Sequence, residues 1–189
     1  MPVQLRRGFK SEAEAYAKEY RQELGMPPIA PLDMFRLAAH LAIPAFALSD
    51  LSAEMQAINY ERLATSYGSP FSAVTLFNGR RRFIVFNDSN ATTRQQSDMA
   101  HELSHAILDH PPSELTDESG GRHYNEVLEA EANCLSGVLL VPGPAAIRLA
   151  TTRTSLDVAA ASYNISTAMM RMRLNQSGAT KIAARSGIR

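Results

Sequence analysis

Apolar residues recur along this chain with two periods, and the switches between them divide it into elements. Ala13, Tyr16, Ala17, Tyr20 and Leu24 fall at helical intervals, behind a Ser11/Glu14 pair with the spacing of a capping box. Gly25 and Pro27-Pro28 end that helix over about 11–24. A second helix is predicted over about 31–40, with Leu32, Phe35, Leu37, Ala38 and Leu41 apolar, and Pro44 stops it. Residues 45–48 read as a short strand. The runs FSAVTLF (71–77) and RFIVF (82–86) flank Asn78-Gly79, a hairpin signal because both residues tolerate positive φ. Asn87 to Asn90 is a polar stop rich in N-cap residues. The helical period then returns over about 91–108 (Met99, Leu103, Ala106, Ile107) and 124–140 (Leu128, Ala132, Leu135, Leu139). A polar loop, about 112–123, separates the two. Pro142, Gly143 and Pro144 close the second. In the last stretch Ser155 and Ser166 are spaced as caps around a Tyr163-Asn164 turn, with Ile165, Ala168 and Met172 placed to pack. This is the pattern of a helix-turn-helix.

Composition narrows the class. The chain has 189 residues, 45% hydrophobic and 20% charged, with 19 basic against 19 acidic side chains. That suits one domain with a small appendage and excludes a disordered chain or a nucleic-acid coat protein. A single cysteine, Cys134, forbids an intrachain disulfide and fits a reducing compartment. No apolar run approaches the roughly 20 residues of a membrane span, and the first residues lack a signal-peptide core, so a cytoplasmic protein is expected.

Candidate chemistry sits at residues 101–105, His-Glu-Leu-Ser-His. Four residues apart on a helix, His101 and His105 share one face and can offer ring nitrogens to one metal ion, with Glu102 beside them. A third ligand is then needed. His110 lies five residues after His105, whereas the metzincin spacing wants six with an intervening Gly, so it is set aside. His123 stays open. Glu129 is the leading candidate: it lies on the next helix, and Asn133, four residues on, can brace a ligand histidine through its other nitrogen. Glu131 points about 200° from Glu129 on the helical wheel and reads as solvated.

HELSH followed by EAEANCLSGVLLVP resembles the ImmA/IrrE family of metallo-endopeptidases, whose second helix reads roughly ExxAN-x-FA-x-x-LL-x-P. Glu129, Ala132, Asn133, Leu139, Leu140 and Pro142 fit that pattern; Leu135 and Ser136 replace the usual Phe and Ala. The resemblance covers about residues 11–145. It implies zinc (Zn2+) as cofactor, His101, His105 and Glu129 as ligands, Glu102 as catalytic residue and Asn133 as support. The implied fold is α+β: a zincin-like metallopeptidase domain over 1–145, of helices plus a small antiparallel sheet, then a helical, helix-turn-helix-like tail over 146–189.

The expected reaction is peptide hydrolysis. Zinc acidifies water toward a pKa of about 7, and Glu102 takes its proton and passes it to the leaving amine. Tyr67, Arg122, His123 and Tyr124 are open candidates for stabilising the oxyanion, and strand 83–86 for pairing with a substrate. By resemblance, the substrate is an Xre-type DNA-binding regulator or antitoxin, so that cleavage switches on stress, mobile-element or phage genes. Two other readings compete. One is a binding module or toxin partner of such a regulator with little proteolysis. The other is a DNA-binding regulator acting through tail residues Arg171 and Arg173, a role less favoured than packing on the peptidase domain. The zero net charge sums unlike regions. Residues 113–131 hold six acids and only Arg122, which favours a cation or a basic partner, while the tail from Arg148 holds seven basic residues against Asp157.

Overall fold

The structure, a computed structural model, describes residues 5–53, 71–79, 81–111 and 125–185. Among them are eight α-helices and a three-stranded sheet. Helix α1 (Phe9–Glu23) buries Phe9, Ala13, Ala17 and Arg21, an i, i+4 stripe. It begins two residues before the expected capping box, after Gly8 in the left-handed region (φ 87°). Glu14 therefore lies inside the helix and does not cap it. Its carboxylate instead accepts from the Gly143 backbone N–H at 3.0 and 2.9 Å. A Cβ on Gly143 would lie 2.9 Å from that carboxylate, which explains a glycine there. Helix α2 (Met34–His40) starts later than the sequence suggests because Asp33 caps it, accepting from Phe35 and Arg36 N–H.

Strand β1 (Ala45–Ala47) pairs parallel with β3 (Arg81–Phe86), and β2 (Ala73–Asn78) pairs antiparallel with it, giving the order β1-β3-β2. The sheet is thus mixed. The hairpin forms, but Asn78 pairs with Arg81 and remains in the strand, so the turn begins at Gly79 (φ 61°). Because β3 is central, both its edges are already bonded. The expectation that it adds a substrate strand is corrected: the edge strand of this hairpin is β2.

Helix α3 (Thr92–Ile107) buries Gln96, Met99, Ala100, Leu103 and Ser104. Gln96 ties it to α2, accepting from Met34 N–H at 2.9 Å. Helix α4 (Glu126–Leu140) is capped by Asn125, which accepts from Val127 and Leu128 N–H. It packs along α3 and α1. Helix α5 (Gly143–Thr151) follows after the Pro142 break, bent 54° from α4. No single helix among the described residues is long and apolar enough to cross a membrane.

Three helices complete the chain: α6 (Leu156–Ser162), α7 (Thr167–Gln176) and α8 (Ala179–Arg185). Ser155 and Ser166 cap α6 and α7, as their spacing predicts. Ala145, Ala146, Ala159, Ala160, Ile165, Met170 and Ala179 share one core with Phe9, Leu37, Leu103 and Leu135. Burial of Ile165 and Met170 alone is worth roughly 2 kcal/mol each, so this segment is held to the body. Tyr163 adds a bond from its hydroxyl to the Ile29 carbonyl at 2.6 Å. The inward face of α7 is one step round from the expected one. Met170 and Arg173 are buried, whereas Ala168 and Met172 are exposed. Arg173 is thereby lost as a DNA contact: it is 3% exposed and donates to the Val141 carbonyl at 3.0 and 2.8 Å. Its Cδ would lie 2.8 Å from a Cβ on Gly137, so that glycine admits it.

Candidate metal centre

The packing of α3 against α4 brings His101, His105 and Glu129 together, with one donor atom from each within 4.8 Å of the others. His101 and His105 sit one turn apart, and their Nε2 atoms are 3.1 Å apart. Glu129, in the first turn of α4, spans them: Oε2 is 3.3 Å from His101 Nε2, and Oε1 is 3.4 Å from His105 Nε2. Tetrahedral donors about 2.0–2.1 Å from a zinc ion are about 3.3 Å from one another. The spacing, and the two-imidazole, one-carboxylate donor set, therefore fit such an ion. All three side chains are between one fifth and one third exposed, so one side of the cluster opens to solvent.

The electrostatics agree with a cation-seeking cluster. Hydrogen bonds to His101 and then His105 hold the Glu129 carboxyl far below the usual carboxylate range. Burial would lower the His101 pKa, but the Glu129 bond, the charges of Glu102 and Glu129 and a bond to Asn133 outweigh it and raise the pKa. Asn133 thus reaches His101, while remaining otherwise exposed.

Glu102 lies beside the cluster, and its Oε2 accepts from the Thr75 hydroxyl at 2.6 Å. Thr75 escaped the sequence reading. Its signal is that of the polar residue in the otherwise apolar run 73–77, on the strand face shared with Ala73 and Phe77.

His110 and Glu131 also stand differently from their sequence reading. Glu131 is 7% exposed rather than solvated; its Oε1 accepts from Arg6 Nε at 2.9 Å, and its Oε2 lies 3.7 Å from His110 Nε2. His110 is no ligand, but its Nδ1 sits 2.9 Å from His105 Nδ1. The end of α3 makes this contact. Leu108 is the C-cap and Asp109 turns left-handed (φ 51°). Asp109 N–H then bonds to Ala106 C=O, and His110 N–H to His105 C=O at 3.0 Å. This Schellman turn folds the chain back under His105. Arg82 on β3 pins the turn by pairing with Asp109 and donating to Ala106 C=O. Burial and then the neighbouring His105 push the His110 pKa down. Tyr67, Arg122, His123 and Tyr124, the open candidates for ligand or oxyanion roles, lie outside the described residues.

A helix-borne His/His/Glu cluster with a flanking carboxylate, beside a small sheet in an α+β fold, defines a metallopeptidase-type protein. Residues 57–175 match the family model for the IrrE N-terminal-like domain, Peptidase_M78, and the chain belongs to that family. No curated relative matches it.

Proposed function

We propose that this protein is a zinc-dependent endopeptidase whose substrate is an Xre-type DNA-binding regulator or antitoxin. The reading rests above all on the convergence of His101, His105 and Glu129 next to a Glu102 carboxylate fixed by Thr75. His101, His105 and Glu129 would hold the ion. When bound, zinc supplies Lewis acidity that acidifies water and polarises a carbonyl. Glu102 then serves as general base toward water and as general acid toward the departing amine. Thr75 donates to one Glu102 oxygen, leaving the other available for the proton.

The topology supports a mode of substrate binding. Among the described residues no strand pairs with the far edge of β2, and Thr75 places that strand beside Glu102. An extended peptide added along β2 lies next to the reacting groups. The acidic excess over residues 113–131 suits a basic partner, as DNA-binding regulators are.

The test is incubation of the zinc-loaded protein with candidate Xre-type regulators from the same genome, in parallel with Glu102→Gln. The variant is expected to bind zinc like the parent and to lose cleavage. Equal cleavage by both would sink the mechanism. Tight binding to a regulator with no cleavage by either would favour a partner-binding role.

A further inference from the structure

His105 faces two demands. Its Nε2 points at His101 and Glu129, and metal ligation there requires a bare lone pair. The hydrogen of the neutral ring must then sit on Nδ1. The group that faces Nδ1 is the His110 ring, at 2.9 Å. Two imidazole nitrogens at that distance share one hydrogen, so one donates and the other accepts.

Which one donates is decided further along. His110 Nε2 faces the Glu131 carboxylate, at 3.7 Å, longer than a hydrogen bond but with both groups buried away from competing water. Glu131 in turn accepts from Arg6, which keeps it an acceptor. A carboxylate next to Nε2 favours the hydrogen there, leaving His110 Nδ1 bare. Glu129 lies 3.4 Å from His105 Nε2, but His101 Nε2, 3.1 Å from His105 Nε2 and 3.3 Å from Glu129, can supply the one hydrogen that side needs, so His105 Nε2 need not carry its own. His105 must then donate from Nδ1, and its Nε2 is left free for the metal.

We propose that His110 and Glu131, braced by Arg6, form a relay that holds His105 in the tautomer able to ligate a metal ion. His110 and Glu131 are positioning residues, acting through His105. The inference rests on the zinc-site reading above, but not on the protein being an active protease.

Two measurements on the full chain test it. The first is nitrogen-15 imidazole NMR of the metal-free protein at neutral pH, which reads the tautomers directly. His105 is expected to carry its hydrogen on Nδ1 and His110 on Nε2. His105 with its hydrogen on Nε2 would overturn the proposal, even if zinc binding itself failed. The second is zinc affinity by chelator competition. His110→Phe keeps an aromatic ring but removes the acceptor, and should weaken binding about 10- to 100-fold, the usual effect of removing a group that orients a ligand. His110→Asn places a carbonyl oxygen where Nδ1 stood, and should restore most of the loss, which a purely space-filling role would not do. In Glu131→Gln the amide oxygen stays with Arg6 and the amide NH₂ faces His110, reversing the relay at unchanged volume; a loss comparable to that of His110→Phe is expected. Affinities within twofold of the parent for His110→Phe and Glu131→Gln, or His110→Asn as weak as His110→Phe, would also overturn it. Cleavage assays are separate: a protein with this affinity pattern and no proteolysis would refute the peptidase reading alone.

Discussion

The two ends of helix α4 handle charge in opposite ways. At its C-terminal end, the carbonyls left without helical partners meet two buried guanidiniums. Arg21 of α1, wholly buried, donates to Leu139 C=O at 2.8 Å and also to Ala17 and Ala30 C=O. Arg173 of α7 takes Val141 C=O. Burial lowers the Arg21 pKa to about 10, yet it stays charged at neutral pH, against the negative end of the helix dipole. At the N-terminal end, Glu129 meets imidazoles and Glu102 adds to the negative side, while Glu131, turned away from them, is already paired with Arg6. Charge buried for folding is matched within the chain. Charge at the site is matched only in part, and that surplus of lone pairs and negative charge is what a divalent cation answers.

The largest test of this contrast is at the site. Glu129→Gln removes the anionic donor and should lower zinc affinity more than about 100-fold, since groups that merely orient a ligand already cost 10- to 100-fold. Its unfolding midpoint in excess chelator should fall only slightly at about pH 8, where the metal-free link between His101 and Glu129 is weak. Undiminished zinc binding would place the ion elsewhere. At the opposite end, Arg21→Met leaves the carbonyls it served without their donor. A loss of about 3 kcal/mol in urea unfolding is expected, with zinc affinity unchanged. If the loss falls below about 1 kcal/mol, the net worth of a single ordinary hydrogen bond, the guanidinium is dispensable to the fold and the contrast fails.

The two ends were not equally legible in the sequence. HELSH carries its geometry in its spacing, because four residues on a helix fix the relative placement of two histidines whatever surrounds them. Glu129 was accessible for the same reason, through its spacing to Asn133. The C-terminal end was opaque. Nothing local to Arg21 marks it, and its partner Leu139 lies 118 residues away. Only tertiary packing reveals that carbonyls await it. His110 and Glu131 lay between these cases. A helical wheel shows that Glu131 faces away from Glu129, but not that His110, folded back by the turn at Asp109, and Arg6 occupy that side.

A smaller effect comes from pH, because the site groups are partly exposed. In the metal-free protein the His101 pKa is raised, so its contribution is complete below its ordinary value of about 6.5 and is lost as pH rises through the folded value. The Glu129 pKa is lowered, so its contribution is present above about 4.3 and is lost only as pH falls well below that. The metal-free link between α3 and α4 is therefore strongest at about pH 5–6 and weaker at about pH 8. Zinc held by His101, as proposed, would compete with the proton there, so its stabilisation would run the other way. The gain in melting temperature on adding zinc should be larger at about pH 8 than at about pH 6. A gain that is flat or shrinks with pH would show that the imidazole proton and the metal do not compete.

The finest test separates the groups proposed to hold the ion from the group proposed to work beside it. Thr75→Val keeps the shape and β-branching of the strand residue and deletes one hydroxyl, the donor to Glu102 Oε2. A hydrogen bond to a charged group is worth about 1.5–3 kcal/mol when both partners are well placed, and partial exposure of Glu102 puts the effect at the low end. The turnover number for a peptide substrate should fall about tenfold, with zinc affinity unchanged. Without that donor the carboxylate is freer to rotate out of its place beside the cluster. A fall in zinc affinity instead would mean that β2 helps to shape the ligand cluster, and that the base and the metal site are one unit rather than neighbours.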